Sequence, residues 1–226
     1  CNFADKVNNA AAAGAIAVVV YNNTGITPFA MGGLEATAIP SVMLGKPDGE
    51  AVRDWVLGNT GATARINAEV SRLTDPLWQD ILSSSSSRGP APVDVIKPDI
   101  AAPGTNILAA VATTDPTDPP EFDIYSGTSM ASPHIAGSLA LLRDLYPTWT
   151  PTQLRTALMA TSMADMLKED AATPADPFDM GAGRVDLTQA ALVGLVMDES
   201  SANFAAATAE TVNTLNLPSM QDSACY

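Results

Sequence analysis

The sequence predicts an α/β protein. Three observations carry this expectation. Short valine-rich runs alternate with alanine-rich helical stretches over residues 1–67. A long apolar stretch of helical period begins after Gly127-Thr128. The composition is 46 % apolar over 226 residues, enough for a sizeable core.

The elements follow in order. Residues 4–13 read as a helix ended by Gly14 at the C′ position, where a left-handed backbone is needed. Ala15 to Tyr21 is a short apolar run, read as a buried strand, and Asn22-Asn23-Thr24-Gly25 is turn chemistry. Ile39 to Leu44 reads as a second strand, 48–57 as a helix ended near Gly58, and 62–66 as a further strand. The run Ser83–Ser87 has a linker's composition, with order expected in its C-terminal half. A helix from Ser129 to about Tyr146 carries Ala131, Ile135, Ala136, Leu139, Ala140, Leu142 and Leu145. It is apolar almost all round, as befits a helix buried in the middle of a domain. Pro133 falls near its first turn, where a missing amide costs least. Further helices are expected over 150–161 and 187–193, and the periodicity fades over 200–226.

Composition excludes some classes. There are 25 acidic against 11 basic residues, a net charge of −14, which opposes a phosphate-backbone partner; no nucleic-acid partner is expected. The longest apolar stretch, Ala10 to Tyr21, is too short to span a bilayer, so no membrane partner is expected either. Asp115, Asp118, Glu121 and Asp123 cluster in a Pro-rich loop. Loop carboxylates can bind calcium, but this spacing matches no dedicated loop and a solvated acidic loop is the commoner arrangement. The Asp165/Glu169/Asp170 and Asp176/Asp179 groups read the same way, so no metal site and no cofactor is expected. Cys1 and Cys225 can pair with each other or with cysteines outside these residues; both readings stay open.

The most informative run is Gly127-Thr128-Ser129-Met130-Ala131-Ser132-Pro133-His134-Ile135-Ala136-Gly137. It sets a serine at the mouth of a helix after a tight turn. Thr128 is placed to cap that helix, and the Ser129 N–H is one of the opening donors without an intrahelical partner. A hydroxyl there lies at the positive end of the helix dipole, beside a ready oxyanion donor. This run resembles the nucleophile segment of the subtilisin-like serine proteases, the subtilases. Ser86-Ser87-Arg88-Gly89-Pro90 and Lys97-Pro98-Asp99-Ile100-Ala101-Ala102-Pro103-Gly104 resemble the segments that precede it. Tyr146-Pro147-Thr148-Trp149-Thr150-Pro151 and Asp176-Pro177-Phe178-Asp179-Met180-Gly181-Ala182-Gly183-Arg184-Val185-Asp186 resemble those that follow. Upstream, Cys1, Phe3, Lys6, Asn9-Ala10, Ala13-Gly14-Ala15, Tyr21-Asn22-Asn23 and Ile39-Pro40 resemble the protease-associated domain inserted in many subtilases.

The resemblance implies a subtilisin-like parallel-sheet domain preceded by part of a β/α protease-associated domain. The boundaries expected are 1–67 for the protease-associated part, 68–82 for a connector, 83–199 for the nucleophile-bearing catalytic part and 200–226 for a lead into a C-terminal β domain. It implies a secreted serine endopeptidase acting on proteins or peptides, with Ser129 as nucleophile and its backbone N–H as one oxyanion donor. Gly127, Thr128 and Met130 flank the substrate, Met130 beside the leaving-group pocket.

A serine nucleophile needs a base held by a carboxylate. His134 is the single histidine. Five helical residues separate it from Ser129, about 140° around the axis and roughly 7.5 Å along it. Proton transfer needs ~3 Å, so His134 is expected to be structural, packed behind the nucleophile. The chain has no initiator methionine and no signal-peptide pattern. The resemblance implies that the acid, the base and the oxyanion-hole amide lie upstream of residue 1, so this chain alone is expected to be inactive. A non-catalytic peptide-binding module and a catalytically dead relative are the alternatives.

Overall fold

A computed structural model describes residues 2–67, 74–91, 96–113, 115, 117, 119–208 and 211. The chain divides into two compact units. One gathers Cys1–Ser84, Thr105–Ser126 and Glu169–Ala171; the other gathers Ser85–Gly104, Gly127–Lys168 and Ala172–Tyr226.

In the first unit, helix α1 (Phe3–Ala12) opens where the Asp5 carboxylate accepts the Asn2 N–H at 3.2 Å. It ends as expected, with Gly14 at φ +94°, a value that favours glycine. Val7, on this helix, is fully buried. Strands β1 (Val18–Tyr21) and β2 (Ser41–Leu44) pair in parallel, Val18 opposite Ser41. Burial along β1 alternates, with Val19 and Tyr21 exposed, so the fully buried strand expected over 15–21 is a shorter, one-sided one. Helix α2 (Lys46–Gly58) crosses Tyr21 at Gly49, where a Cβ would lie 2.1 Å from the Tyr21 Cβ. Residues 62–66 form no strand: no described neighbour pairs with them, and cross-strand pairs are what hold a strand. An antiparallel hairpin, β3 (Ile107–Val111) with β4 (Glu121–Tyr125), completes the unit.

The second unit is built on helices α3 (Thr128–Leu145) and α4 (Pro151–Ala160). Its core is Leu142, Leu154, Ala157, Leu158 and Ala190, flanked by Ile100, Ile135 and Leu139. Helix α4 starts on a reciprocal cap: Thr150 Oγ1 accepts the Gln153 N–H at 3.2 Å, and Gln153 Oε1 accepts the Thr150 N–H at 2.9 Å. The link between the helices is held by Tyr146 and Trp149, stacked with ring centroids 3.9 Å apart, and by the Tyr146 hydroxyl donating to the Ala191 carbonyl. Helix α3 is less enclosed than its composition suggests. Only Ser138 and Leu142 are buried on it, while Leu141 is 64 % and Leu145 54 % exposed, because one face alone meets the core.

Short helices follow. In α5 (Pro177–Met180) and α6 (Leu187–Ala190), Asp176 and Asp186 accept the opening N–H groups. The helix expected over 187–193 is shorter because after Ala190 the bonds tighten to three-residue turns, Leu192 N–H to Gln189 O and Val193 N–H to Ala190 O. Helix α7 (Ser201–Ala206) is capped by Ser200, whose side chain accepts the Asn203 N–H. Residues 209, 210 and 212–226 lie outside the described residues, as do Cys1 and 68–73 of the connector. Within 83–199 the named strands are the antiparallel β3–β4 pair; parallel pairing in that range is the bridge between Ala101 and Arg184. Among the described residues no helix is long and apolar enough to cross a membrane.

Candidate active site

The mouth of α3 is set by glycines on two segments. Gly127 lies at φ 156°, which L side chains rarely adopt, and its carbonyl accepts the N–H groups of Met130 (3.0 Å) and Ala131 (3.3 Å). Gly127 is therefore the N-cap, and Thr128 is the first helical residue, without a side-chain cap bond. The cap expected of Thr128 fails for that reason: the helix starts one residue earlier than Thr128 would need to cap it. The Gly127 N–H donates to the Gly104 carbonyl at 2.7 Å. That approach requires Gly104, since a Cβ there would lie 2.8 Å from the Gly127 oxygen and 3.2 Å from the Ala131 Cβ. The small residue Ala131 completes the fit.

Ser129 is the second residue of the helix and is exposed. Among the described residues no backbone acceptor meets its N–H. An exposed hydroxyl thus lies in the positive end of the helix dipole with an open backbone donor beside it. Met130 is half-buried next to it. Ser126, just upstream, is occupied differently: its Oγ accepts the Asn106 N–H at 2.8 Å. Pro133 is the sixth helical residue, one residue deeper than expected, and it deprives the Ser129 carbonyl of its usual i+4 donor.

His134 also lies on α3, but it is exposed rather than packed behind the serine. Its Nδ1 is 2.8 Å from the Met130 carbonyl. A carbonyl only accepts, so Nδ1 carries the proton in this contact. The imidazole is tied to its own helix one turn back and makes no hydrogen bond to Ser129 among the described residues.

The segment leading to Gly104 is held from behind. Ala182 N–H donates to Asp99 O (3.0 Å), Ala101 N–H to Gly183 O (2.8 Å) and Val185 N–H to Ala101 O (2.9 Å). Gly181 (φ +64°) and Gly183 (φ +123°) allow this closeness; a Cβ on Gly181 would stand 2.4 Å from the Asp99 carbonyl. The corner before them contains Asp179, only 3 % exposed, with Arg88 Nε at 3.1 Å and Lys168 Nζ at 2.9 Å. Its Oδ2 also accepts the Asp176 N–H at 2.9 Å. Burial, the largest single influence, pushes this carboxyl up, but the Asp176 N–H, Lys168 and Arg88 together hold it below its ordinary value. The solvated reading of Asp179 is thereby corrected. Sequence alone missed it because a buried, paired Asp in a Pro-rich corner has the same local composition as a solvated one.

Of the acidic residues near 115–123, Asp115 and Glu121 are exposed, as a solvated reading expects, but the loop is shorter than expected. Glu121 and Asp123 lie in β4, and Asp115 accepts from the Thr117 N–H and hydroxyl at 2.8 and 2.6 Å. Asp118 lies outside the described residues. Among the described residues no group of three or more His, Cys, Asp or Glu is placed to hold a metal ion.

The family described as the Subtilase family, peptidase S8, matches residues 4–183. The chain belongs to the subtilase family. Among its relatives, the minor extracellular protease Vpr of Bacillus subtilis (strain 168) is 40 % identical over 168 residues, 71 % of this chain and 19 % of Vpr. The subtilisin-like protease SBT5.4 of Arabidopsis thaliana is 34 % identical over 215 residues, 88 % of this chain and 27 % of SBT5.4. SBT1.7 of the same plant is 34 % identical over 185 residues, 75 % of this chain and 24 % of SBT1.7. The chain thus spans about a quarter of the length of the curated relatives it matches.

Proposed function

We propose that this chain carries the nucleophile of a subtilisin-like serine endopeptidase. Ser129 Oγ attacks the carbonyl carbon of a peptide bond while its proton passes to a base outside these residues. The amine leaves with a proton from that base, and water then hydrolyses the acyl-enzyme. The observation that carries this reading is the exposed Ser129 at the second position of α3 with its N–H open. That N–H supplies one oxyanion donor, an interaction worth about 3–4 kcal/mol in such sites.

In this reading Gly127 and Thr128 shape the backbone against the substrate, and Met130 stands beside the leaving-group pocket. Residues 1–67 act as part of a protease-associated domain, 68–82 as connector, 83–199 as the nucleophile-bearing part and 200–226 as a lead into a C-terminal β domain. The substrates are proteins or peptides, met outside the cell; the similarity to the minor extracellular protease Vpr supports that location. The chemistry needs no cofactor, and the acid, base and second oxyanion donor come from the rest of the protease.

The test is covalent labelling. A fluorophosphonate should modify Ser129 in the full-length product of the gene, and Ser129→Ala should lower kcat by on the order of 10⁶. Modification of Ser126 or Ser132 instead would refute the assignment. A folded full-length protein that takes no label would favour a binding module or a dead relative.

A further inference from the structure

We propose that Asp179 is a positioning residue for Ser129, because its buried, doubly ion-paired carboxylate locks the corner whose backbone holds the Gly104 carbonyl beneath the mouth of α3. This rests on the reading of Ser129 as nucleophile, but its structural part stands by itself. Asp179 touches no substrate; it acts through a run of backbone contacts within one compact unit.

The run has little slack. Arg88 and Lys168 meet the two carboxylate oxygens of Asp179 at 3.1 and 2.9 Å, and the Asp176 N–H meets one of them at 2.9 Å. The corner is held a second time where the Gly89 N–H donates to the Phe178 carbonyl at 2.9 Å. Immediately downstream, Gly181 presses on the backbone of Pro98 and Asp99 so closely that no side chain would fit. The Ala182–Asp99 and Ala101–Gly183 bonds then set the register of the segment that ends at Gly104. Gly104 in turn accepts the Gly127 N–H at 2.7 Å, two residues before Ser129. Beyond the Asp179 side-chain contacts, each link is a backbone hydrogen bond or a glycine contact, so a shift of the corner has few soft torsions to absorb it. Removing the charge from Asp179 costs Arg88 this ion pair and leaves Lys168 with Asp176 alone, at 3.3 Å, so the clamp on the corner loosens.

The first experiment uses amide hydrogen exchange in the 226-residue chain. Asp179→Asn should speed exchange of the Gly127 N–H by about five- to tenfold relative to Leu158 in α4, the size of one weakened backbone hydrogen bond. A Leu154→Ala control removes core packing without touching the run, and should speed both amides alike. Arg88→Gln leaves the Lys168 pair in place, so it should fold and move Gly127 in the same direction by a smaller factor. Gly127 keeping pace with Leu158 in both Asp179→Asn and Arg88→Gln would overturn the proposal; loss of fold in Asp179→Asn leaves Arg88→Gln to decide. The second experiment uses the full-length protease, titrated for folded molecules. Asp179→Asn should lower kcat about tenfold with KM unchanged, whereas a purely structural role would lower only the folded fraction. Failure of the wild type to label at Ser129 would refute the nucleophile assignment while leaving the exchange result to stand or fall separately.

Discussion

Replacing Gly104 by alanine tests how tightly the nucleophile helix is seated. The new methyl would lie 2.8 Å from the Gly127 oxygen and 3.2 Å from the Ala131 Cβ, neither of which is the free end of a flexible side chain. Forcing a methyl into such a contact costs about 1–3 kcal/mol. Separating the segments also weakens the Gly127–Gly104 hydrogen bond, worth about 0.5–1.5 kcal/mol. Against these stands a gain of about 0.4–1 kcal/mol, because alanine restricts the unfolded chain more than glycine. The net loss is about 0.5–4 kcal/mol, a fall in midpoint of roughly 1–16 °C for a chain of this size. Gly137→Ala supplies the opposite sign. Gly137 lies inside the same helix with nothing within 4 Å of an added Cβ, so alanine should stabilise by about 0.5–1 kcal/mol. Thermal melts followed by circular dichroism read both. If Gly104→Ala melts at or above wild type, or both variants shift the same way, the close seating is wrong.

Four further outcomes follow from the same geometry. Asp179 is held below its ordinary value of 3.8, so its contribution to stability is present above about pH 4 and disappears as pH falls through the lower folded value. Urea titrations should show that acid-side loss in wild type and a smaller one in Asp179→Asn. His134→Gln should cost under about 1 kcal/mol in thermal melts, since the ring is exposed and bonded only to the Met130 carbonyl, and should leave the pH–rate midpoint of the full-length protease in place. Peroxide oxidation of Met130, followed by peptide mapping, should depress turnover, because a polar sulfoxide would form next to Ser129; full oxidation with unchanged turnover would contradict its placement. The 226-residue chain alone should cleave a fluorogenic peptide pool no faster than its Ser129→Ala variant, as its single imidazole is bound to its own helix.

The helices were legible because their signals are local. Gly14 stops α1, Thr150 and Gln153 open α4 reciprocally, and the apolar period of α3 appears within its own residues. Ser129 at a helix mouth was legible for the same reason. What escaped depends on partners remote in the chain. The seating of α3 rests on the Gly127 N–H donating to the Gly104 carbonyl, and the burial of Asp179 comes with its pairing to Arg88 and Lys168. Exposure of His134, Leu141 and Leu145 follows from which face of α3 finds a neighbour, and no composition of the helix itself specifies that. Strand β4 is a different case. Glu121-Phe122-Asp123-Ile124-Tyr125 alternates with period two, and attention to that alternation would have removed two carboxylates from the acidic loop.

The bond between Gly104 and Gly127 also closes a loop. Residues 105–126 leave one compact unit after Gly104, contribute the β3–β4 hairpin to the other, and return at Gly127, within hydrogen-bond distance of where they departed. Because the two ends are fastened to each other, the length of that excursion is uncoupled from the position of Ser129. Lengthening the tip between β3 and β4 should then cost only loop entropy, about 0.6 kcal/mol for each doubling. The stretch is a natural place for this chain to accept inserted sequence, or even a grafted domain, while the helix mouth stays where it is.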